Sequence, residues 1–175
     1  MTLAKRIAEK SARICVLGLG YVGLPLAVGL ADVGYTVTGL DTDEAKVKAI
    51  GEGQSYILDV LSQDISRLVA DKRLSATTDY DVLVDMDVVF ICVPTPFDAM
   101  KAPDLSAIVA AAEGIAKRLR PNQLIILQST TYPGTTEEKV LPILEQSGLR
   151  AGRGYMDFSL TWLVHKAPAN RSLFD

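Results

Sequence analysis

The chain has 175 residues, enough to bury a core as a single domain, and 49% of them are hydrophobic. Its 18 basic and 21 acidic residues leave a formal net charge of −3, which offers no electrostatic footprint for nucleic acid or an anionic membrane. Apolar stretches are strand-sized, no signal-peptide core follows the basic N-terminus, and Cys15 and Cys92 both sit in buried-strand patterns; this predicts a cytoplasmic protein with two reduced core thiols, no metal site and no membrane partner.

Residues 1–12, with Lys5, Arg6, Glu9 and Lys10, read as a short amphipathic lead-in, a solvated tail. Residues 14–17 (ICVL) are apolar, β-branched at two positions and stopped by glycine, the pattern of a strand buried on both faces of a parallel sheet. Residues 21–33 carry a helical period in which Val22, Leu26, Leu30 and Val33 are expected to cover one face. Between strand and helix, Gly18, Gly20 and Gly23 keep the spacing of a dinucleotide-binding turn. Gly18 permits the tight turn, Gly20 lacks a Cβ that would block a pyrophosphate, and Gly23 allows close helix–strand approach. Free N–H groups around Leu19, Tyr21 and Val22, with the positive helix end, are expected to face the phosphates.

The second strand, residues 36–40 (TVTGL), ends at Asp41, about twenty residues beyond the last glycine, where a carboxylate accepts hydrogen bonds from the adenosine ribose and repels a 2′-phosphate. Thr42, Asp43 and Glu44 add acid and no arginine, so NAD is expected rather than NADP. An ordinary strand-to-helix turn, with Asp41 as a cap, is the alternative. A helix over residues 43–50 stops at Gly51 and Gly53, and its Lys46 either reaches the adenosine end of the cofactor or is a plain surface lysine.

Residues 56–70, with Leu58, Leu61, Ile65, Leu68 and Val69 in helical period, predict one further helix. Residues 74–77 form a short strand, and Thr78 with Asp81 reads as a capping box. Residues 88–93 are the second strongly buried strand, ended by Pro94 and Pro96. Their loop stands at the carboxyl end of a strand, where Thr95 offers a hydroxyl to a cofactor, unless it is only a rigid turn. After a mobile polar loop over 98–103 comes an alanine-rich helix over 105–119, capped by Asp104. The third buried strand, 123–128, runs into the hydroxyl cluster Ser129, Thr130 and Thr131, which faces the same crevice or serves as capping chemistry. Thr135 or Thr136 caps a helix over 137–146, with Glu137 and Glu138 at its positive end. The whole reads as an α/β fold, a Rossmann-like doubly wound parallel sheet in a single domain, without repeats or low-complexity segments.

With ICVLGLGYVGLPLA, CVPTP, PDLS and QSTTYPGTTEE present, residues 13–153 resemble the N-terminal NAD-binding domain of the UDP-glucose/GDP-mannose dehydrogenase family. SYI at 55–57, with STTYPGTTEE, resembles the family's bacterial UDP-N-acetylglucosamine 6-dehydrogenase branch, which feeds surface polysaccharide synthesis. The resemblance implies a four-electron oxidation of a sugar C6 alcohol to a carboxylate with two NAD, through a cysteine-bound thiohemiacetal and thioester. It places cofactor contacts on Gly18, Leu19, Gly20, Tyr21, Val22, Gly23, Asp41, Lys46, Val93, Pro94, Thr95, Ser129 and Thr130, with Thr130 also helping to position the reacting water. Other Rossmann dehydrogenases, acting on 3-hydroxy acids, fit the later motifs poorly.

The resemblance breaks after Arg153. Where the family continues into serine-proline-glutamate, Ser159 is followed by Leu160 and Thr161, and the linking helix and substrate domain, with their lysine, asparagine and cysteine, do not follow. Residues 154–175 are therefore expected to be a divergent tail of a truncated or frameshifted gene, pairing as an edge strand over 154–160 and then disordered, with lone His165 uninvolved in catalysis. The expected protein is the NAD-binding half of a nucleotide-sugar dehydrogenase, inactive alone, meeting a UDP-sugar only if a substrate domain is supplied. The family's homo-oligomers use a dimer helix absent here. A stand-alone NAD-binding or assembly module and a degenerate fragment are the alternatives.

Overall fold

The computed structural model describes residues 2–96, 103–152 and 158–162, the last of these as backbone alone. Its strands are β1 (Arg13–Leu17), β2 (Thr36–Leu40), β3 (Leu74–Thr77), β4 (Val88–Ile91), β5 (Gln123–Leu127) and β6 (Phe158–Trp162). All pair in parallel in the order β3-β2-β1-β4-β5-β6. Strand order reverses between β1 and β4, and a crevice opens outside the carboxyl ends at such a point. The registers put Leu17 level with both Leu40 and Ile91, so Gly18, Asp41 and Cys92 emerge side by side.

Alternate residues feed two cores, as strands covered on both faces require. Cys15, Leu17, Val89, Ile91, Ile125 and Leu127 pack with α5 (Ser106–Ala116) and α6 (Leu141–Leu144). Ile14, Val16, Val37 and Val88 pack with α2 (Gly23–Asp32) and α4 (Ser62–Ala70). Both cysteines are buried free thiols, as expected.

Several local expectations are corrected. The expected solvated tail is, over its described residues 2–12, a docked segment: α1 (Leu3–Ala8) packs through Leu3 and Ile7, Tyr35 donates its hydroxyl to the Ile7 carbonyl at 2.9 Å, and Arg6 reaches Asp87 at 2.7 Å. In α2 the buried face is Gly23, Leu24, Ala27 and Ala31, while Val22 and Val33 are exposed. Gly23, Ala27 and Ala31 let the helix lie close to the sheet, and Leu24 fills the core beside them.

The segment before α4 is a loop, with Leu58 fully exposed. Ser55 donates to the Ile57 carbonyl and accepts from the Ile57 N–H, and Ser62 Oγ accepts from the Ser55 N–H, local bonds that compete with helix formation. Asp79, rather than Thr78, caps the short 3-10 helix Tyr80–Asp85 by accepting from the Asp81 N–H at 2.8 Å. Asp43 caps α3 (Glu44–Gly51), and Asp104 accepts from the Ser106 N–H ahead of α5. Beyond Thr135 the chain makes one π turn, Thr136–Val140, before α6. Pro142 has no N–H to return to the preceding turn, and the Thr135 hydroxyl donates to the Tyr132 carbonyl instead of capping.

The edge strand is present at Phe158–Trp162, paired with β5. Most of the expected 98–103 loop, residues 153–157 and 163–175, and with them His165, lie outside the described residues.

Candidate functional site

At the carboxyl ends of β2, β1, β4 and β5 lies a crevice of about 760 Å³. Gly18, Gly20, Tyr21, Val22, Asp41, Lys46, Val93, Pro94, Thr95, Ser129 and Thr130 line it, so of the thirteen expected cofactor residues only Leu19 and Gly23 do not. Gly18 has φ +92°, and a Cβ there would stand 2.7 Å from the Cys92 carbonyl oxygen, so the turn admits glycine alone. A Cβ on Gly23 would overlap the Gly18 carbonyl oxygen, which pins the start of α2 against the turn. At Gly20 a Cβ would meet nothing within 4 Å, leaving the backbone open to a ligand on that side.

Leu19 departs from expectation. Its N–H is not free but donates to Asp41 Oδ2 at 2.7 Å, and its side chain is fully buried. Among the described residues the N–H groups of Gly20, Tyr21 and Val22 meet no acceptor. They stand at the start of α2, where partial positive charge accumulates.

Asp41 is 9% exposed. Its Oδ2 accepts from the Leu19 N–H and from Lys46 Nζ at 3.2 Å; among the described residues its Oδ1 accepts only from the Asp43 N–H at 3.0 Å. A carboxylate has about four acceptor positions, so capacity remains on Oδ1. Lys46 therefore sits in the crevice as the counter-charge of Asp41.

Across the crevice the loops after β4 and β5 are laced together. Thr95 donates its hydroxyl to the Thr130 carbonyl at 2.7 Å, and Ser129 donates to the Val93 carbonyl at 2.8 Å. Both hydroxyl protons are engaged, so toward the crevice these oxygens can only accept. Gln128 Oε1, also buried in the lining, meets no hydrogen-bond partner among the described residues.

Burial pushes the Cys92 thiol up to about 12, and burial, with Cys92 nearby, does the same to Cys15. In both, burial favours the thiol over the thiolate, the reverse of what activates a nucleophilic cysteine. No group of three metal-ligating side chains occurs among the described residues, and no helix there is long and apolar enough to cross a membrane.

Two lining tyrosines escaped the sequence reading. Tyr56 donates its hydroxyl to the Leu19 carbonyl at 2.8 Å, bracing the glycine turn from the loop before α4; burial, then the Asp41 and Asp43 carboxylates, raise its phenol above the ordinary range. Tyr80 packs where a Cβ on Gly114 would overlap its ring, with the Arg118 guanidinium 5.7 Å from the ring centroid and held by Asp81 at 2.6 Å. A glycine within the alanine-rich α5 was the available signal for Tyr80, since helix propensity opposes glycine there.

Comparison with known proteins agrees with this geometry. A model of the UDP-glucose/GDP-mannose dehydrogenase family, NAD binding domain, matches residues 12–163, thus reaching through β6. The UDP-N-acetyl-D-glucosamine 6-dehydrogenase of Pseudomonas aeruginosa is 41% identical over 142 residues, covering 81% of this chain and 33% of that protein. The UDP-N-acetyl-D-mannosamine dehydrogenase of Pyrococcus horikoshii is 36% identical over 141 residues, 80% of this chain and 34% of that one. Among solved structures, a ternary complex of GDP-mannose dehydrogenase from Pseudomonas aeruginosa superposes with a TM-score of 0.80 at 35% identity, covering 85% of this chain and 35% of that chain. The chain spans about a third of the length of the relatives it matches.

Proposed function

The chain belongs to the UDP-glucose/GDP-mannose dehydrogenase family and carries its NAD-binding domain, and from that premise we propose that it serves as the cofactor-binding third of a nucleotide-sugar 6-dehydrogenase. The observation that carries the reading is the crevice at the strand-order reversal, with a carboxylate that keeps acceptor capacity on Oδ1 at one end and, among the described residues, free N–H groups beside it. NAD held there would supply the acceptor for the hydride removed from the sugar alcohol.

In this reading Asp41 Oδ1 accepts from an adenosine ribose hydroxyl, and the acids around it disfavour a 2′-phosphate. The N–H groups of Gly20, Tyr21 and Val22 bind the pyrophosphate. Tyr80 borders the adenosine end, while Val93, Pro94, Thr95 and Ser129 border the nicotinamide end. Thr130, exposed at the rim, turns its hydroxyl to a reacting water. The sugar, its nucleotide and the nucleophile that captures the aldehyde belong to the other two-thirds of the relatives' length, as do the contacts of a homo-oligomer.

The test is NADH formation from UDP-N-acetylglucosamine. The chain alone is expected to bind NAD and produce no NADH; mixed with the remaining two-thirds of a related dehydrogenase as a separate chain, it is expected to produce NADH. Turnover by the chain alone contradicts this reading. NAD binding without turnover in the mixture points instead to a stand-alone NAD-binding module.

A further inference from the structure

Gln128 follows β5 directly, its N–H donating to the Ile91 carbonyl at 2.9 Å. It therefore stands level with the end of β4, on a strand three places from β2 and Asp41 across the crevice. A dinucleotide with its adenosine ribose at Asp41 and its pyrophosphate at the glycine turn after β1 brings its nicotinamide toward the ends of β4 and β5. Gln128 lines that end, and its Oε1 is buried without a partner. A buried acceptor left unmet is costly, and native proteins rarely keep one without a use.

The two neighbouring hydroxyls share one polarity. Thr95 and Ser129 have committed their hydroxyl protons to the Thr130 and Val93 carbonyls, so what they present is acceptor oxygen. Gln128 Oε1 adds a third acceptor. The nicotinamide carboxamide ends in an NH₂ group, two donors on one atom, and fits such a set.

We propose that Gln128 is a specificity-determining residue at this end of the crevice, its Oε1 accepting from the carboxamide NH₂ of the nicotinamide ring. The inference rests on the NAD reading of the crevice and adds to it a residue and a ligand atom. It makes Gln128 a reader of the pyridine substituent and leaves the adenosine half untouched.

Calorimetry on the whole chain, wild type beside Gln128→Met, tests this with three ligands: NAD, its 3-acetylpyridine analogue, which lacks the NH₂, and ADP-ribose, which lacks the ring. Loss of the bond is expected to weaken NAD about tenfold. ADP-ribose is expected to bind both proteins alike, which also reports that the variant is folded. The acetylpyridine analogue is expected to bind both alike, and to bind the wild type more weakly than NAD does. Equal weakening of NAD and the analogue overturns the proposal, as does unchanged NAD affinity or a parallel loss of ADP-ribose. A wild-type chain that binds neither NAD nor ADP-ribose removes the underlying reading of the crevice, whereas normal NAD binding by Gln128→Met removes only this one.

Discussion

At the amino end of β4, Asp87 is 2% exposed and meets Arg6 at 2.7 Å, Arg120 at 2.8 Å and the Arg13 N–H at 3.0 Å. At the carboxyl end of β2, Asp41 is 9% exposed and meets one lysine and two backbone N–H groups. The partners of Asp87 come from α1, from β1 and from the turn before β5, segments far apart in sequence, and two guanidinium groups surround one carboxylate. The partners of Asp41, which lines the crevice, belong to the glycine turn and to the start of α3, and among the described residues they leave acceptor capacity on Oδ1. The two ends of one sheet thus divide the work: charge at the amino end ties the fold together, and charge at the carboxyl end is left able to meet a ligand.

That division can be broken by mutation. Asp87→Ala leaves two guanidinium groups without their counter-charge and is expected to cost about 3 kcal/mol in urea unfolding, while the protein that remains folded binds NAD normally. Gly23→Ala strikes the carboxyl end, where the new methyl must displace the Gly18 carbonyl; a loss of about 2 kcal/mol is expected, this time with weakened NAD binding. Tyr35→Phe removes only the bond to α1 and is expected to cost about 1 kcal/mol without touching NAD affinity. The smallest effect concerns the crevice thiol. Burial raises the Cys92 pKa to about 12, so below that pH the thiol form dominates, and alkylation of the native protein at pH 8 is expected to be far slower than in urea. Equal rates in the two states would mean that this end of the sheet is not packed as described.

The carboxyl end was the more legible of the two in sequence. Glycine at three fixed spacings and an acid closing the next strand are local patterns, and the registers of β1, β2 and β4 bring them together as expected. Asp87 carries no comparable local pattern, because its partners Arg6 and Arg120 lie in segments whose docking no periodicity encodes. Hydrophobic period also misplaced the buried face of α2: Val22 and Val33 fit the stripe, but the face that meets the sheet is Gly23, Leu24, Ala27 and Ala31. Leu58 and Leu61 joined a helical pattern that serine side chains interrupt. Sequence spacing leaves the Leu19 N–H free, since it cannot reveal that Asp41 folds back onto the turn. Gln128 read as the last residue of a strand, since an unmet acceptor exists only once everything around it is in place.

The most direct test of the central claim is the affinity of the whole chain for NAD, wild type beside Asp41→Asn and Asp87→Asn. Binding in the micromolar to millimolar range is expected for the wild type, weakened by about 1.5 to 3 kcal/mol in Asp41→Asn and unchanged in folded Asp87→Asn, with NADP weaker than NAD on the wild type. Equal affinity in all three proteins, or equal loss in both variants, would contradict the assignment of the ligand to Asp41 and the carboxyl end of the sheet.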